Sequence, residues 1–127
     1  MVALADRSAC GAPPGELPPE VPLWVYRGDT RAWRLRLWAD KDRTEPFDLA
    51  GVLDVTAQVR RDPDRAAATE LRCDVTLPNV VTLHLSAAAS AVCPSGRWDM
   101  QARWPDGRVA TLARGPIVVE PDVTRHD

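Results

Sequence analysis

Six short runs of alternating apolar and polar residues fill most of the chain between Trp33 and Glu120. In such a run every second side chain points to the same face, which is the pattern of a β-strand with one buried face. The runs are WRLRLWA, VLDVTAQVR, VVTLHLS, RWDMQARW, RVATLA and PIVVE. Little room is left between them for helices. The pattern predicts an all-β fold, a small antiparallel sandwich or barrel, which usually binds or builds rather than catalyses.

The predicted strands follow one another along the chain with turn residues between them. In chain order they are Leu23–Tyr26, Ala32–Ala39, Val52–Arg60, Glu70–Leu77, Val80–Leu85, Arg97–Trp104, Arg108–Ala113 and Ile117–Glu120. Ser86 has the position of an N-cap for one short helical turn over residues 87–92. Gly115 and Pro116 are expected to break the ladder before the last strand. Alternation places Leu53 on the inward face of its strand.

The first 22 residues differ from the rest because prolines crowd them. The prolines of this stretch are Pro13, Pro14, Pro18, Pro19 and Pro22. Proline fixes φ and lacks an N–H, so the stretch predicts an extended, polyproline-like arm that cannot join a central strand. Two roles stay open, a loose tail or an arm that lies along a neighbouring subunit. The predicted organisation is an arm over 1–22, a sandwich over 23–121 and a tail over 122–127.

Composition and charge exclude several classes of protein. The 127 residues suit one soluble domain with its own core. A net charge of −2 argues against nucleic-acid binding, which needs a basic excess. No apolar run approaches the roughly 20 residues that cross a bilayer, and the N-terminus lacks a signal-peptide pattern. Cys10, Cys73 and Cys93 have no CxxC spacing, so we expect free thiols in a reducing cytoplasm rather than disulfides or zinc ligands.

Catalytic and metal-binding patterns are poorly supported. His84 falls on the outward side of a strand and His126 near the C-terminus, and neither flanks a nucleophile motif. The aspartate pairs in loops lack the spacing of a calcium loop, and no Gly-rich phosphate loop occurs. These pairs are Asp40 with Asp42 and Asp62 with Asp64. The tripeptide at residues 27–29 reads as a structural turn. We therefore expect no enzymatic activity, no cofactor and no metal.

The tryptophans supply the candidate partner-binding residues. Trp33 and Trp98 fall on inward faces and are expected to form the centre of the core. Trp38 shares the outward face of its strand with Arg34 and Arg36, a mixture enriched at interface hot spots. It could equally cover one end of the domain or stack under an arginine of its own chain. Trp24 and Trp104 are open to the same interpretations. The predicted partner-binding set is Arg34, Arg36, Trp38, Trp24, Trp104, Pro13, Pro14, Pro18 and Pro19.

The order of the turn motifs resembles a known family. After "RGDT" come "PFDLAG", "QVRR", "VVTLHLSAAASAV" and "GRWDMQARWPDGRVATLARGPIVVEPDVTR". This order, over about Tyr26 to Arg125, is similar to the small immunoglobulin-like β-sandwich domains of tailed-bacteriophage virions. Those include the N-terminal domain of baseplate upper proteins and the tail-collar or long-tail-fibre attachment proteins. Ala50 departs from the family's "DLTG" pattern, and no receptor-binding domain follows the sandwich, so we expect an accessory subunit.

The resemblance implies a single immunoglobulin-like antiparallel β-sandwich with a structural role. The expected function is a non-enzymatic virion subunit that docks on the tail, collar or baseplate, made in the host cytoplasm. Its expected partners are other virion proteins, such as tail tube, baseplate or capsid subunits, with several copies or a symmetric homo-oligomer per particle. A head decoration or minor capsid protein is an alternative. A free-standing immunoglobulin-like module that binds carbohydrate or protein is an alternative of another class.

Overall fold

The computed structural model describes residues 2–5, 7–8, 20–39, 42–62 and 68–121, the first two segments as backbone only. The strands are β1 Val2–Ala5, β2 Arg7–Ser8, β3 Leu23–Tyr26, β4 Arg31–Trp38, β5 Asp54–Arg60, β6 Thr69–Thr76, β7 Val80–Leu85, β8 Gly96–Arg103 and β9 Val109–Glu120. The helix α1 spans Ala87–Val92. No helix in these described segments is long and apolar enough to cross a membrane.

The strands pair into two facing sheets. Sheet one has the order β1, β4, β7, β6, with β2 also against β4; sheet two has the order β5, β8, β9, β3. Strand β6 belongs to both, because Thr69–Leu71 pair with β5 and Arg72–Thr76 pair with β7. A strand that changes sheets closes the corner of a sandwich. The orders β1-β4-β7-β6 and β5-β8-β9 correspond to the A-B-E-D and C-F-G sheets of an immunoglobulin fold.

The fold class predicted from the sequence is therefore confirmed as an immunoglobulin-like β-sandwich with one short helix. One correction concerns strand direction. The pairing is not wholly antiparallel, since β3 runs parallel to β9, with Leu23 opposite Ile117 and Tyr26 opposite Glu120. The short strand β2 is likewise parallel to β4. Strand β3 is parallel because it is an edge strand added beside the last strand rather than one arm of a hairpin.

The inward side chains of the two sheets meet in one apolar core. Trp33 of β4 and Trp98 of β8 are both about 2% exposed, as the alternation predicts. The indole Nε1 of Trp98 donates a hydrogen bond of 2.8 Å to the carbonyl oxygen of Val21. This bond fastens the segment that enters β3 onto the core. Val21 is itself buried, two residues before the predicted start of the sandwich.

Turn chemistry explains how the strands are joined. Ser86 is the N-cap of α1, and its hydroxyl accepts a hydrogen bond of 3.1 Å from the Ala89 N–H, as predicted. The hairpin between β8 and β9 turns at Gly107, whose φ of +93° suits glycine. At residues 27–29 the chain turns with a hydrogen bond of 3.0 Å from the Asp29 N–H to the Tyr26 carbonyl oxygen.

The sequence predicts two strands, Arg108–Ala113 and Ile117–Glu120, where the structure has one. Strand β9 runs without a break through Gly115 and Pro116, which pair with Trp98 and Arg97 of β8. A bulge lies earlier, where the register shifts opposite Met100 and Gln101. The bulge leaves the consecutive residues Leu112 and Ala113 both buried. The alternation of inward and outward side chains therefore shifts by one residue within a single strand. Glycine is required at position 115 because the Val21 backbone packs directly against it, and an added Cβ would lie 2.3 Å from the Val21 carbonyl oxygen.

The inward position predicted for Leu53 is wrong, since this side chain is 61% exposed. Strand β5 begins only at Asp54, and Leu53 precedes it in the segment that leaves the turn at Gly51. The side chains that close this end are Leu49, fully buried, and Phe47, which is half-buried against the core. Leu53 is exposed because it precedes the regular strand, and the residues of this segment that pack against the core are Val52 and Val55.

The N-terminal residues add an edge strand to sheet one. Strand β1 pairs antiparallel with β4, from Val2 opposite Trp38 to Ala5 opposite Leu35. Residues 2–5 contain no proline, which is why they can form strand hydrogen bonds. The partner-binding prolines predicted from the sequence, Pro13, Pro14, Pro18 and Pro19, lie outside the described residues, as does the tail over 122–127. The division into arm, sandwich and tail stays a prediction.

Candidate interaction surface

The outer face of sheet two contains a groove with a volume of about 430 Å³. It is lined by Gln58, Arg60, Arg97, Trp98, Asp99, Thr111 and Arg114, which lie on β5, β8 and β9. We call it the arginine groove, after the three arginines among its lining residues. Its polar residues face away from the core, on the side of the sheet opposite the buried Trp98 ring.

Strand register brings the polar residues of the groove together in two rows. In the first row Gln58 pairs with Asp99, and Asp99 pairs with Arg114. In the second row Arg60 lies opposite Arg97. Like charges directly opposite each other on a sheet are destabilising unless other groups compensate them. The compensating groups are therefore part of the site.

Two hydrogen bonds hold the second row in place. The Nη2 of Arg97 lies 2.8 Å from Oε1 of Glu20, forming an ion pair at the rim of the groove. The Nη2 of Arg60 donates a bond of 2.8 Å to Oε1 of Gln58. The pKa of the Glu20 carboxyl is lowered, first by the hydrogen bond from Arg97 and its charge and to a smaller extent by the charge of Arg114. Glu20 is thus held as a carboxylate beside two arginines.

Arg114 is the least satisfied of the groove arginines. Its Nε is buried and makes no hydrogen bond to any of the described residues. A guanidinium has five N–H donors in a fixed planar arrangement, and a buried donor without an acceptor is costly. Arg114 occupies this position because the bulge at Leu112 and Ala113 places it, like Thr111, on the outer face. An acceptor from outside the chain would therefore reach Arg114 through the guanidinium nitrogens that border the groove.

An apolar strip lies beside the groove on the same outer face. Trp24 and Tyr26 of β3 and Val118 of β9 are each more than 40% exposed, and Trp24 pairs directly with Val118. The rings of Trp24 and Tyr26 meet edge to face with centroids 4.6 Å apart. Exposed tryptophan and tyrosine near arginine are the residue types enriched in binding interfaces. The strip and the groove together make one candidate docking face.

The residues predicted from the sequence do not form a single site. Arg34 and Arg36 are exposed on the outer face of sheet one, and Trp38 beside them is half-buried with its Nε1 lacking a hydrogen-bond partner among the described residues. Trp24 is exposed but lies on sheet two. The structure thus separates Trp38 and Trp24 onto opposite faces of the sandwich.

Trp104 does not offer a surface to a partner. It is only 8% exposed and belongs to the core. Its ring packs against Phe47 with centroids 6.4 Å apart, and the Arg108 guanidinium lies 4.5 Å from its centroid. Of the interpretations open for this residue, stacking under an arginine of its own chain is the one observed.

Sequence reasoning missed the groove itself. Simple alternation along residues 52–60 predicts outward positions for Arg60 and Gln58, and the structure confirms them. Arg114 fell at the assumed break between two strands, and Glu20 fell in the proline-rich arm. The available signal was the adjacent pair of apolar residues at Leu112 and Ala113, which disrupts the alternation and indicates a bulge.

Other titratable groups serve local roles. The Nε2 of His84 lies 2.9 Å from Oδ2 of Asp74 on the outer face of sheet one, where Arg72 also reaches Asp74 at 3.3 Å. Burial, and then the charge of Asp74, raise the pKa of the Cys73 thiol to about 12, and burial raises that of Cys93. Within the described part of the chain, no group of histidine, cysteine or acidic residues could hold a metal ion.

Comparisons with known proteins give a structural likeness and no family. No protein-family model matches the chain, and no curated protein matches it. Among solved structures the titin M3 domain is similar, with a TM-score of 0.45 and 11% sequence identity over 80% of this chain and 88% of that one. The fold assignment itself rests on the strand pairing of this chain.

Proposed function

We propose that this protein is a non-enzymatic structural subunit of a tailed-phage particle that docks on the tail, collar or baseplate. The docking role is supported by one observation above the others, the juxtaposition of the arginine groove with the exposed Trp24, Tyr26 and Val118 on one face. The phage setting is supported by the order of turn motifs along the chain. Binding through this face is the proposed mechanism, and no chemical step is involved.

The motifs of the resemblance occupy the positions that a small sandwich needs. The "GDT" residues turn the chain between β3 and β4, and the "PFDLAG" segment closes one end with Leu49. The "SAAASAV" segment is the capped helix α1, and "PDG" is the hairpin between β8 and β9. A module of this kind can be added to a larger assembly through an outer face or an edge strand.

The alternatives differ in location or in ligand. A head decoration protein would use the same face on a capsid subunit. A carbohydrate-binding module would need aromatic side chains in line on one exposed face. Trp24 and Tyr26 do share one exposed face, but Trp38 lies on the opposite face and Trp104 is buried, so no row of tryptophans forms among the described residues and this alternative has less support.

Immunogold electron microscopy of particles from the source lysate, with antibody against this chain, tests the proposal. Label confined to one end or to the collar of the tail supports the tail subunit. Label over the head surface in many copies replaces it with the decoration protein. Particles without label overturn the virion proposal and leave the soluble binding module.

A test of the docking face uses recombinant protein and particles that lack the subunit. The double variant W24S/Y26S is expected to lose co-sedimentation with the particles. The matched control R34S/R36S on sheet one is expected to retain it. Equal binding by both variants would show that the face of sheet two is not used.

A further inference from the structure

We infer that the arginine groove binds a carboxylate-bearing segment of a partner protein, with the Arg114 guanidinium as the principal donor. The inference names the partner chemistry for the docking face and rests on the proposed function.

The groove is positively charged on a chain that is acidic as a whole. Its lining contains three arginines against the single acid Asp99, and it remains positive when the rim residue Glu20 is counted. The whole chain has a formal net charge of −2. The concentration of arginine is therefore local, and it would attract an acidic segment to this face in particular.

The chain already shows how the groove binds a carboxylate. Glu20 comes from a part of the sequence 77 residues away and contacts Arg97 at 2.8 Å at the rim. Arg114, the neighbouring arginine, has a buried Nε without an acceptor in the described structure. A carboxylate can accept two parallel hydrogen bonds from one guanidinium, which gives both strength and orientation. The rest of the Arg114 side chain is half-buried and lines the groove, so a second carboxylate would bind the guanidinium nitrogens that border the groove rather than the buried Nε.

The surroundings favour a peptide over a small inorganic anion. Exposed Trp24 and Val118 lie next to the groove and would contact apolar side chains flanking the acid. Strand β3 is an edge, pairing only with β9 among the described strands, so its other side offers backbone groups to an extended segment. Asp99 and Glu20 would repel a doubly charged phosphate more strongly than a single carboxylate.

Nuclear magnetic resonance on the full-length protein labelled with ¹⁵N tests this directly. The probe is an octapeptide that alternates glutamate and leucine, and its control is the same peptide with glutamine in place of glutamate. The glutamate peptide is expected to shift the Arg114 Nε–H signal in a saturable way, and added salt should weaken binding. The glutamine peptide should leave that signal in place.

Variants establish which arginine is responsible. Arg114→Gln is expected to weaken the glutamate peptide by about tenfold or more, the size of one charge-assisted hydrogen bond. Arg114→Lys retains the charge without the planar donors and should also weaken binding. Arg72→Gln, on the outer face of sheet one, should change the affinity by less than about twofold because that side chain lies outside the groove. Thermal unfolding of each variant controls for loss of the fold.

Several outcomes would overturn the inference. One is an Arg114 Nε–H signal that does not shift when the glutamate peptide is added. Another is a glutamine peptide that shifts this signal equally. A response to inorganic phosphate alone would make the groove an anion site instead. If Arg114→Gln still docks on particles as the unmodified chain does, the carboxylate inference fails while the proposed function stands. If the unmodified chain binds no particle, the proposed function fails independently.

Discussion

The two outer faces of the sandwich carry similar residues but differ in shape. On sheet one, Arg34 and Arg36 project from the regular strand β4, and each is exposed between two buried neighbours. On sheet two, Arg60, Arg97 and Arg114 line a groove of about 430 Å³. Arginine content alone therefore does not distinguish a flat solvated face from a candidate binding face.

Two local features produce the difference. The bulge in β9 changes which residues face outward and places Arg114 beside the second row of the groove. Glu20 at the rim then orients Arg97 through a bond of 2.8 Å. Among the described residues, the outer face of β4 has neither a bulge nor an ion pair with a carboxylate from a distant part of the chain. A regular strand presents a row of side chains, whereas an irregular strand can present a concave site.

The largest expected effect on stability comes from adding a side chain where Gly115 packs against the Val21 backbone. In Gly115→Ala the new Cβ would lie 2.3 Å from the Val21 carbonyl oxygen, so the backbone must move. We expect a loss in unfolding free energy toward the upper end of about 1–3 kcal/mol. The control Arg36→Ala, on the regular face of sheet one, should change it by less than about 0.5 kcal/mol. Urea denaturation followed by tryptophan fluorescence measures both, and equal midpoints would contradict the packing described for sheet two.

A second prediction concerns the Cys73 thiol on the inner side of sheet one, compared between the folded and the unfolded protein. Cys73 of β6 is half-buried, and burial followed by the charge of Asp74 raises its pKa to about 12. Because the thiolate is the reactive form, alkylation at pH 8 should be about a thousandfold slower in the folded protein than in urea. Iodoacetamide labelling with site-resolved mass spectrometry measures this. Equally rapid labelling of Cys73 in both conditions would refute the described burial.

A smaller effect separates the two core tryptophans. Trp98→Phe removes the donor to the Val21 carbonyl oxygen, while Trp33→Phe keeps an aromatic face beneath Arg31, whose guanidinium lies 5.8 Å from the ring centroid. The Trp98 variant should be less stable than the Trp33 variant by about 1 kcal/mol or more, because a buried acceptor is left without its donor. Thermal or urea unfolding of the pair provides the measurement. A Trp33 variant that is the less stable of the two would show that the hydrogen bond to Val21 does not decide the difference.

Regular alternation predicted much of the fold, and it failed where the strand is irregular. Strand β7 has the predicted bounds, Val80–Leu85, because its inward residues alternate without interruption. Strand β9 was predicted as two strands because Gly115 and Pro116 were expected to break the ladder, whereas both pair with β8. Leu53 was placed inward because alternation contains no information on where a regular strand begins, and β5 begins only at Asp54. Local pattern identifies a strand, whereas the arrangement of neighbouring strands determines burial.

The candidate site was less predictable than the fold. The outward position of Arg60 follows from alternation on its own strand, but the groove also needs Glu20 and Arg114 from other parts of the chain. The contact between Glu20 and Arg97 joins residues 77 positions apart. Such a contact depends on sheet order, which the strand pattern leaves open. Exposed Trp24 could be proposed from its sequence position, but its neighbours could not.

The smallest expected effect concerns an exposed ion pair on the outer face of sheet two. Arg103 of β8 donates from Nε to Oδ1 of Asp54 at 2.9 Å, with a second hydrogen bond to Oδ2. The hydrogen bond from Arg103 lowers the pKa of Asp54, with a smaller contribution from its charge. The unfolded chain therefore binds a proton at a higher pH than the folded chain does. The contribution to stability is present above the ordinary aspartate pKa of about 3.9 and is lost as the pH falls through the folded-state pKa.

Urea unfolding at a series of pH values measures this contribution. Asp54→Asn should show a shallower fall in unfolding free energy on the acid side than the unmodified protein. Arg103→Gln should reproduce that shallower fall, since it removes the partner that lowers the pKa. Arg36→Gln, on the regular face of sheet one, should keep the slope of the unmodified protein. Because exposed pairs are screened by salt, the difference should also shrink as ionic strength rises. Identical acid slopes for all four proteins would show that the pair contributes nothing to folding, and the difference between the two faces would then rest on the groove and the apolar strip beside it.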